Sequence, residues 1–489
     1  MENLKKYLKE NYKKIIGWGT SGYYQETSKK LNIEIDYLID SDPAKVNTKL
    51  DGKQIMSSDS LLNEKASEVL IIVFSSFYKE ICETIEAYDN FYTISGEELL
   101  RFFSLQKLGE DEINQISDNS VITISRNNFA LYLGGTSKFI REQMELLNKK
   151  NYTHVHLFWR KYNIKQFRGT YFTIVINGIE LGYSTIADIN SLLKKVKAIF
   201  IHNLIGMQLE ILLPIFESVK KRIPVIYYLH DFSSICSNIK LIYNDDEFCA
   251  GFDDNWGKCS TCKSGKLKKD IYEFHQKLFH DEFIQLIAPS NSTKEIIQRS
   301  FNLPAGKIKV ISHQNYSIES KLVTKINPSI KIAYVGYKNK HKGWDTFKKL
   351  VQEFQGDYEF YCFGFSDEIL EGVQHIDVSF IEDGELAMTN KLKEYNIDIS
   401  FLWSVWPETY SYTYYESYAA GTYVITNNLS GNIHDQVMIN GNGISFENYE
   451  QLKMILMDKI KIKELILNNK SFISGLRRNE EDILQLIHN

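Results

Sequence analysis

The sequence predicts an α/β protein of three successive blocks, each a parallel sheet covered by helices. Two observations point there. Short apolar runs recur along the whole chain with amphipathic stretches between them, the alternation expected of strands and crossover helices. At 489 residues the chain is also too long for one ordinary core and calls for about three domains. With 43% hydrophobic residues and only 7 prolines, the composition excludes a disordered or fibrous chain.

In the first block, expected over 1–108, Lys14–Gly17, Ile35–Leu38 and Val69–Phe74 read as strands and Phe77–Tyr88 as an amphipathic helix. The acidic, polar stretch Gly109–Asn119 reads as a linker. The second block, 120–318, offers Val121–Ser125, His154–Phe158, Ala198–His202, Val225–Leu229 and Leu286–Pro289 as strands. Helices are expected at Lys138–Asn148 and Thr293–Arg299. After the mostly polar Ser320–Ser329, the third block, 330–489, has strands at Lys331–Val335, Glu359–Phe363, Ile397–Phe401 and Tyr423–Thr426. Two consecutive parallel-sheet domains imply a cleft where a ligand meets the carboxyl ends of both sheets.

Net charge is −5, which argues against a broad nucleic-acid footprint. Met1–Lys14 is charged and polar, unlike a signal region, and the apolar stretch Ala198–Phe216 is interrupted by His202, Asn203, Gln208 and Glu210. A cytoplasmic protein is expected, with peripheral contact at the inner membrane face left open.

The most informative stretch runs from Trp406 to Thr422: Trp-Pro-Glu-Thr-Tyr-Ser-Tyr-Thr-Tyr-Tyr-Glu-Ser-Tyr-Ala-Ala-Gly-Thr. A helix opening near Thr409, Tyr410 and Ser411 presents its N-terminal amides to a phosphate. Glu408, just before it, reaches sugar hydroxyls, and Glu416, two turns on, can accept two ribose hydroxyls with its two oxygens. Ala419-Ala420-Gly421 then packs closely and stops the helix before a strand. Taken alone, the spacing also suits a helix with two solvated glutamates.

The stretch closely resembles the signature of retaining GT-B glycosyltransferases of the large family 4 type. The resemblance extends from about Asn128 to Val437. It implies two Rossmann-like domains facing a cleft, a UDP- or GDP-linked sugar donor, and transfer to a glycan, lipid-linked or protein acceptor. It implies retention of configuration and no catalytic metal. Glu408 would contact the donor sugar and Glu416 its ribose. Gly134-Gly135-Thr136 looks like the family's first glycine-rich loop. Gly336, followed by His341-Lys342-Gly343-Trp344, resembles its second-domain loop, with Lys342 on the donor diphosphate. Where the family has an arginine after the glycine, this chain has Tyr337 and then Lys338, the candidate second cation. His230, closing the strand of Pro224–Cys236, would lie beside the reacting sugar; His202 is a weaker candidate for the same cleft. A non-catalytic GT-B partner subunit and a GT-B nucleotide-sugar epimerase remain the alternatives.

Cys236, Cys249, Cys259 and Cys262 cluster within an insertion at 236–262, and four thiolates with one Cys-x-x-Cys pair suit a structural zinc. In the first block, Gly17, Gly19 and Gly22 give Gly-x-Gly-x-x-Gly after a strand, and Asp40 stands where a ribose-binding acid would lie. That block resembles small Rossmann-like domains attached to sugar-modifying transferases, so an accessory nucleotide site and a docking role both stay open.

Overall fold

The computed structural model describes residues 2–488 apart from 132–133, 208, 221, 245–246, 250–256, 266–267, 321–326, 365–367, 380–382 and 470. It divides into two compact units: 1–118 with 155–195, and 119–154 with 196–489. The expected alternation of strands and helices is present throughout.

In the first unit a six-stranded sheet runs Lys49–Leu50, Lys53–Met56, Tyr37–Ile39, Lys14–Trp18, Val69–Val73, Tyr92–Ser95. Lys14–Trp18 is central and pairs in parallel on both sides. Val69–Val73 is buried at every position, which is why it reads as an unbroken apolar run. The glycine loop leads from the central strand into the helix Gly22–Leu31. Gly19 has φ +106°, and a Cβ there would stand 2.5 Å from the Phe74 carbonyl oxygen. A Cβ at Gly17 would stand 2.7 Å from Leu38 Cδ2. Gly19 is therefore required by its backbone whether or not a phosphate binds, whereas at Gly17 the close atom is the end of a side chain.

Residues 155–195, expected in the second block, fall in the first compact unit. Gly169–Ile176 pairs antiparallel with Thr153–Tyr162 and with Ile179–Ser184, and the latter pairs in parallel with Gln106–Lys107. The hairpin turns on Asn177 (φ 49°) and Gly178 (φ 88°), the left-handed pair that a two-residue connection demands. Its apolar side chains supply the first core: Tyr162, Ile164 and Tyr183 cluster with Leu4, Leu31, Phe74 and Phe102. Within the expected linker, Glu110–Asn114 forms a short helix and Ile113 is buried.

The second unit holds two parallel sheets. The first contains, in order, Ile308–Val310, Ile284–Ala288, Val225–Tyr228, Ala198–Ile201 and Ser120–Ile124. The second runs Val373–Ile376, Glu359–Phe363, Lys331–Val335, Ile399–Phe401, Tyr423–Asn427, Gly443–Phe446, every pair parallel. Its winding reverses between Lys331–Val335 and Ile399–Phe401, and in such sheets the crevice at the carboxyl ends of those strands takes the ligand. Gln314–Ser320 pairs antiparallel with Ser471–Arg478. The last helix, Glu480–His488, then returns to the first sheet, where Ile483, Leu486 and Ile487 join Val121, Phe139 and Phe200. Among the described residues, no helix is long and apolar enough to cross a membrane.

Candidate functional site

At the reversal point of the second sheet, two loops lie side by side. The loop after Lys331–Val335 makes a short turn, Lys340–Lys342, capped by Asn339 and ended by Gly343 in the left-handed region. It is anchored by the helix Trp344–Phe354, which buries Trp344, Phe347, Leu350, Val351 and Phe354. The loop after Ile399–Phe401 carries Glu408. Val405 N–H donates to the His341 carbonyl at 3.0 Å, locking the two loops together, and Ser404 Oγ lies 3.2 Å from the same carbonyl. Lys342 Nζ thereby stands 3.4 Å from Glu408 Oε1, which also accepts from Ser404 Oγ at 3.3 Å. Glu408 is only 6% exposed, so its carboxylate requires these partners. Its backbone is fixed as well: Asn432 N–H donates to the Glu408 carbonyl at 2.9 Å.

The helix Tyr412–Ala420 follows, with Ser411 as N-cap accepting from Tyr414 N–H at 3.3 Å. Both expected glycine loops reach its first turn. A Cβ on Gly135 would stand 3.6 Å from the Tyr412 ring, and one on Gly336 would stand 3.3 Å from Thr413 Cγ2. Gly336 also has φ +113°, a conformation that other residues rarely adopt. Gly134 precedes the helix Gly135–Lys149 as its N-cap. Two backbone loops from different sheets thus flank one helix N-terminus.

Glu416 lies further along the same helix with its side chain 13% exposed. Burial raises its pKa, opposed by Lys138, whose Nζ is 4.0 Å from Glu416 Oε1. Lys138 also sits over the Tyr412 ring, 4.4 Å from the centroid. It lies in the first turn of the helix that follows Gly134-Gly135, and sequence reasoning did not single it out.

Adjacent strands of the first sheet deliver the histidines. His202 follows Ala198–Ile201 and His230 follows Val225–Tyr228. Thr409 Oγ1 donates to the His230 carbonyl at 2.6 Å, so the glutamate loop of one sheet is tied to the histidine loop of the other. His230 is 8% exposed, and burial lowers its pKa to about 3. The ring is neutral near pH 7 and acts there through a lone pair and one N–H. His313 was also missed by sequence reasoning. It packs 4.4 Å from Tyr410 and 5.1 Å from His230, and burial, then its neighbour His230, hold its pKa well below the usual range.

Other sequence expectations fare differently. Lys338 has partners of its own: its Nζ donates to the Glu368 carbonyl at 2.5 Å and to His375 Nδ1 at 3.0 Å, and lies over Trp344. The side chains of Thr409, Tyr410 and Ser411 are committed internally, Tyr410 donating to Gln314 Oε1 at 3.2 Å. Main-chain groups there are bonded as well: Ser411 N–H donates to Asn432 Oδ1 at 3.2 Å, and the Thr409 carbonyl accepts from the Thr293 hydroxyl at 3.3 Å.

Cys236, Cys249, Cys259 and Cys262 are not in disulfides and line one cavity of about 30 Å³, room for roughly one water-sized particle. Yet among the described residues no group of three or more His, Cys, Asp or Glu side chains is placed to hold a metal ion. Residues 245–246 and 250–256 of that insertion lie outside the described residues. In the first unit, Asp40 accepts from the Thr20 hydroxyl, from Asp42 N–H at 2.9 Å and from Lys45 Nζ at 3.3 Å. Burial pushes its pKa up, and these bonds together bring it below the ordinary range. Asp40 therefore holds its own loop together, and Gly22, where a Cβ would meet nothing within 4 Å, opens the following helix.

The family model described as C2185-like, N-terminal, matches residues 11–93. No curated protein sequence matches the chain. Among solved structures the chain is similar to sucrose-phosphate synthase from Thermosynechococcus elongatus, at 11% identity and a TM-score of 0.46 over 75% of this chain and 94% of that one. It is also similar to Anabaena HepE in complex with UDP-glucose, at 11% identity and a TM-score of 0.43 over 72% of this chain and 92% of that one. A third is WaaG, a glycosyltransferase involved in lipopolysaccharide biosynthesis, at 11% identity and a TM-score of 0.43 over 72% of this chain and 92% of that one.

Proposed function

We propose that the protein is a GT-B glycosyltransferase that moves a sugar from a nucleotide-sugar donor to a glycan, lipid-linked or protein acceptor, with retention. The observation that carries this reading is the convergence on one helix N-terminus: loops from two sheets flank Tyr412–Thr413, with Glu408 and Lys342 before it and Glu416 within it.

In this reading the diphosphate lies at the first turn of Tyr412–Ala420, where backbone amides and the positive helix end favour an anion. Lys342 exchanges its contact with Glu408 for the phosphate oxygens and stabilises the departing diphosphate. Glu408, released from the lysine, accepts hydroxyls of the donor sugar. Glu416 accepts the ribose hydroxyls, which replace Lys138 as its partner. Neutral His230 accepts a hydrogen bond from a hydroxyl at the reacting centre. These groups hold the donor and stabilise the departing diphosphate without a metal.

A screen of UDP- and GDP-linked sugars by thermal shift tests the reading. A true donor at 100 times its Kd stabilises the fold by about 2.7 kcal/mol. A panel in which no nucleotide sugar raises the Tm contradicts it.

A further inference from the structure

The buried face of the helix Gly135–Lys149 consists of Phe139, Ile140, Gln143, Leu146 and Leu147. Gln143 is the polar exception and is fully buried. A buried amide requires partners, and Gln143 has two. Its Nε2 lies 3.4 Å from the Tyr228 hydroxyl, and its Oε1 lies 3.0 Å from His202 Nε2. On the far side of the ring, His202 Nδ1 lies 2.9 Å from His230 Nε2. The two imidazoles have centroids 5.2 Å apart and planes only 20° apart. With 2.9 Å between the facing nitrogens, this is an edge-to-edge pair.

We propose that Gln143 and His202 are positioning residues that fix the tautomer of His230. The inference rests on the glycosyltransferase reading for its catalytic meaning and on geometry alone for the tautomer. An amide oxygen only accepts, so His202 Nε2 carries the proton. With neutral rings, His202 Nδ1 is then an acceptor, and His230 Nε2 carries the proton between them. His230 Nδ1 keeps its lone pair and accepts a hydrogen bond from a substrate hydroxyl. Thr409 holds the His230 backbone through the carbonyl, so ring and main chain are both pinned. Which ring nitrogen is protonated is set by the bond that the other makes.

Two-bond ¹H–¹⁵N correlation spectra of ring-¹⁵N-histidine protein read the tautomer directly. The His230 signals are assigned by their loss in His230→Gln. The expected result at pH 7.5 is Nε2-protonated His230 with an unprotonated Nδ1. A Nδ1-protonated His230 in the unmodified protein overturns the proposal, whatever any variant does. Gln143→Met should mix the two His230 tautomers and lower kcat by roughly tenfold or more with a smaller change in donor KM, while Gln143→Glu, which keeps the acceptor, should restore both. A Gln143→Met protein with an unchanged His230 tautomer also overturns it. A shifted tautomer with unchanged kcat upholds the relay and removes His230 from the reaction. No donor turnover by the unmodified protein would defeat the transferase reading and leave the tautomer result standing.

Discussion

Lys138 Nζ stands 4.0 Å from Glu416 Oε1 and 4.4 Å from the Tyr412 centroid, so one lysine serves the buried carboxylate and the helix N-terminus next to it. Its side chain is 15% exposed and that of Glu416 is 13% exposed. A carboxylate so placed needs a cation.

Lys138→Met should therefore destabilise the fold by about 1–3 kcal/mol, since it leaves a buried acceptor without its partner. Glu416→Gln in the same chain should recover much of that loss, because the unpaired charge is gone. Denaturant unfolding of the two single variants and the double variant checks this. Strictly additive losses would mean that the two side chains do not couple.

Acid should destabilise the protein through its buried histidines. Burial lowers the pKa of His230 to about 3 and of His275 to about 4, and it holds His313 well below its ordinary value. Below about pH 6.5 the unfolded chain binds protons that the folded chain refuses, so this stability is full above that pH and is lost as pH falls toward 4 and 3. Glu142 acts in the opposite sense. Burial raises its pKa from 4.5 to about 7, and its Oε2 has no hydrogen-bond partner among the described residues. Its contribution is full below 4.5 and is lost as pH rises through 7. Unfolding free energies at pH 5, 6, 7 and 8 should show Glu142→Gln gaining on the unmodified protein as pH rises. Parallel curves would contradict the assignment.

A chain that begins near Asp118 should not fold as the full protein does. It would keep Tyr162, Ile164 and Tyr183 but lose Leu4, Leu31, Phe74 and Phe102, against which they cluster. Circular dichroism and size exclusion should show aggregation or partial structure. A monodisperse fragment with native-like cooperative unfolding would contradict the division of the chain described above.

Gly19→Val should destabilise by about 1–3 kcal/mol, because it puts a branched side chain at positive φ against the Phe74 carbonyl. Any loss of function in that variant reports on folding. Gly22→Ala is the cleaner probe of the loop, since the added methyl meets nothing within 4 Å. It should change stability by less than about 0.5 kcal/mol. A large loss in Gly22→Ala would mean that the loop is packed in a way the structure does not contain.

Much of this architecture is legible in the sequence because buried parallel strands are unbroken apolar runs. Val69–Val73 and Lys331–Val335 stand out for that reason. The pairing of Lys342 with Glu408 lay hidden because it depends on two loops bonded through His341. That Tyr162, Ile164 and Tyr183 pack into the core of the first compact unit was not readable, because strand patterns do not say which core a strand's side chains join, although Asn177-Gly178 marks the hairpin itself. Gln143 carries a readable signal, a polar residue in an apolar helical stripe, but its partners come from other strands. The partners of Lys338, Glu368 and His375, were likewise hidden, because they come from a later part of the chain.

The most direct measurement is calorimetric titration of the stabilising nucleotide sugar into the unmodified protein, Glu416→Gln and Glu408→Gln, each confirmed as folded. The account predicts that Glu416→Gln weakens binding by about 1.5–3 kcal/mol, through loss of charged hydrogen bonds to the ribose, and that Glu408→Gln abolishes transfer. Unchanged nucleotide affinity in Glu416→Gln, together with full transfer in Glu408→Gln, would contradict the central claim that the donor binds at this helix N-terminus.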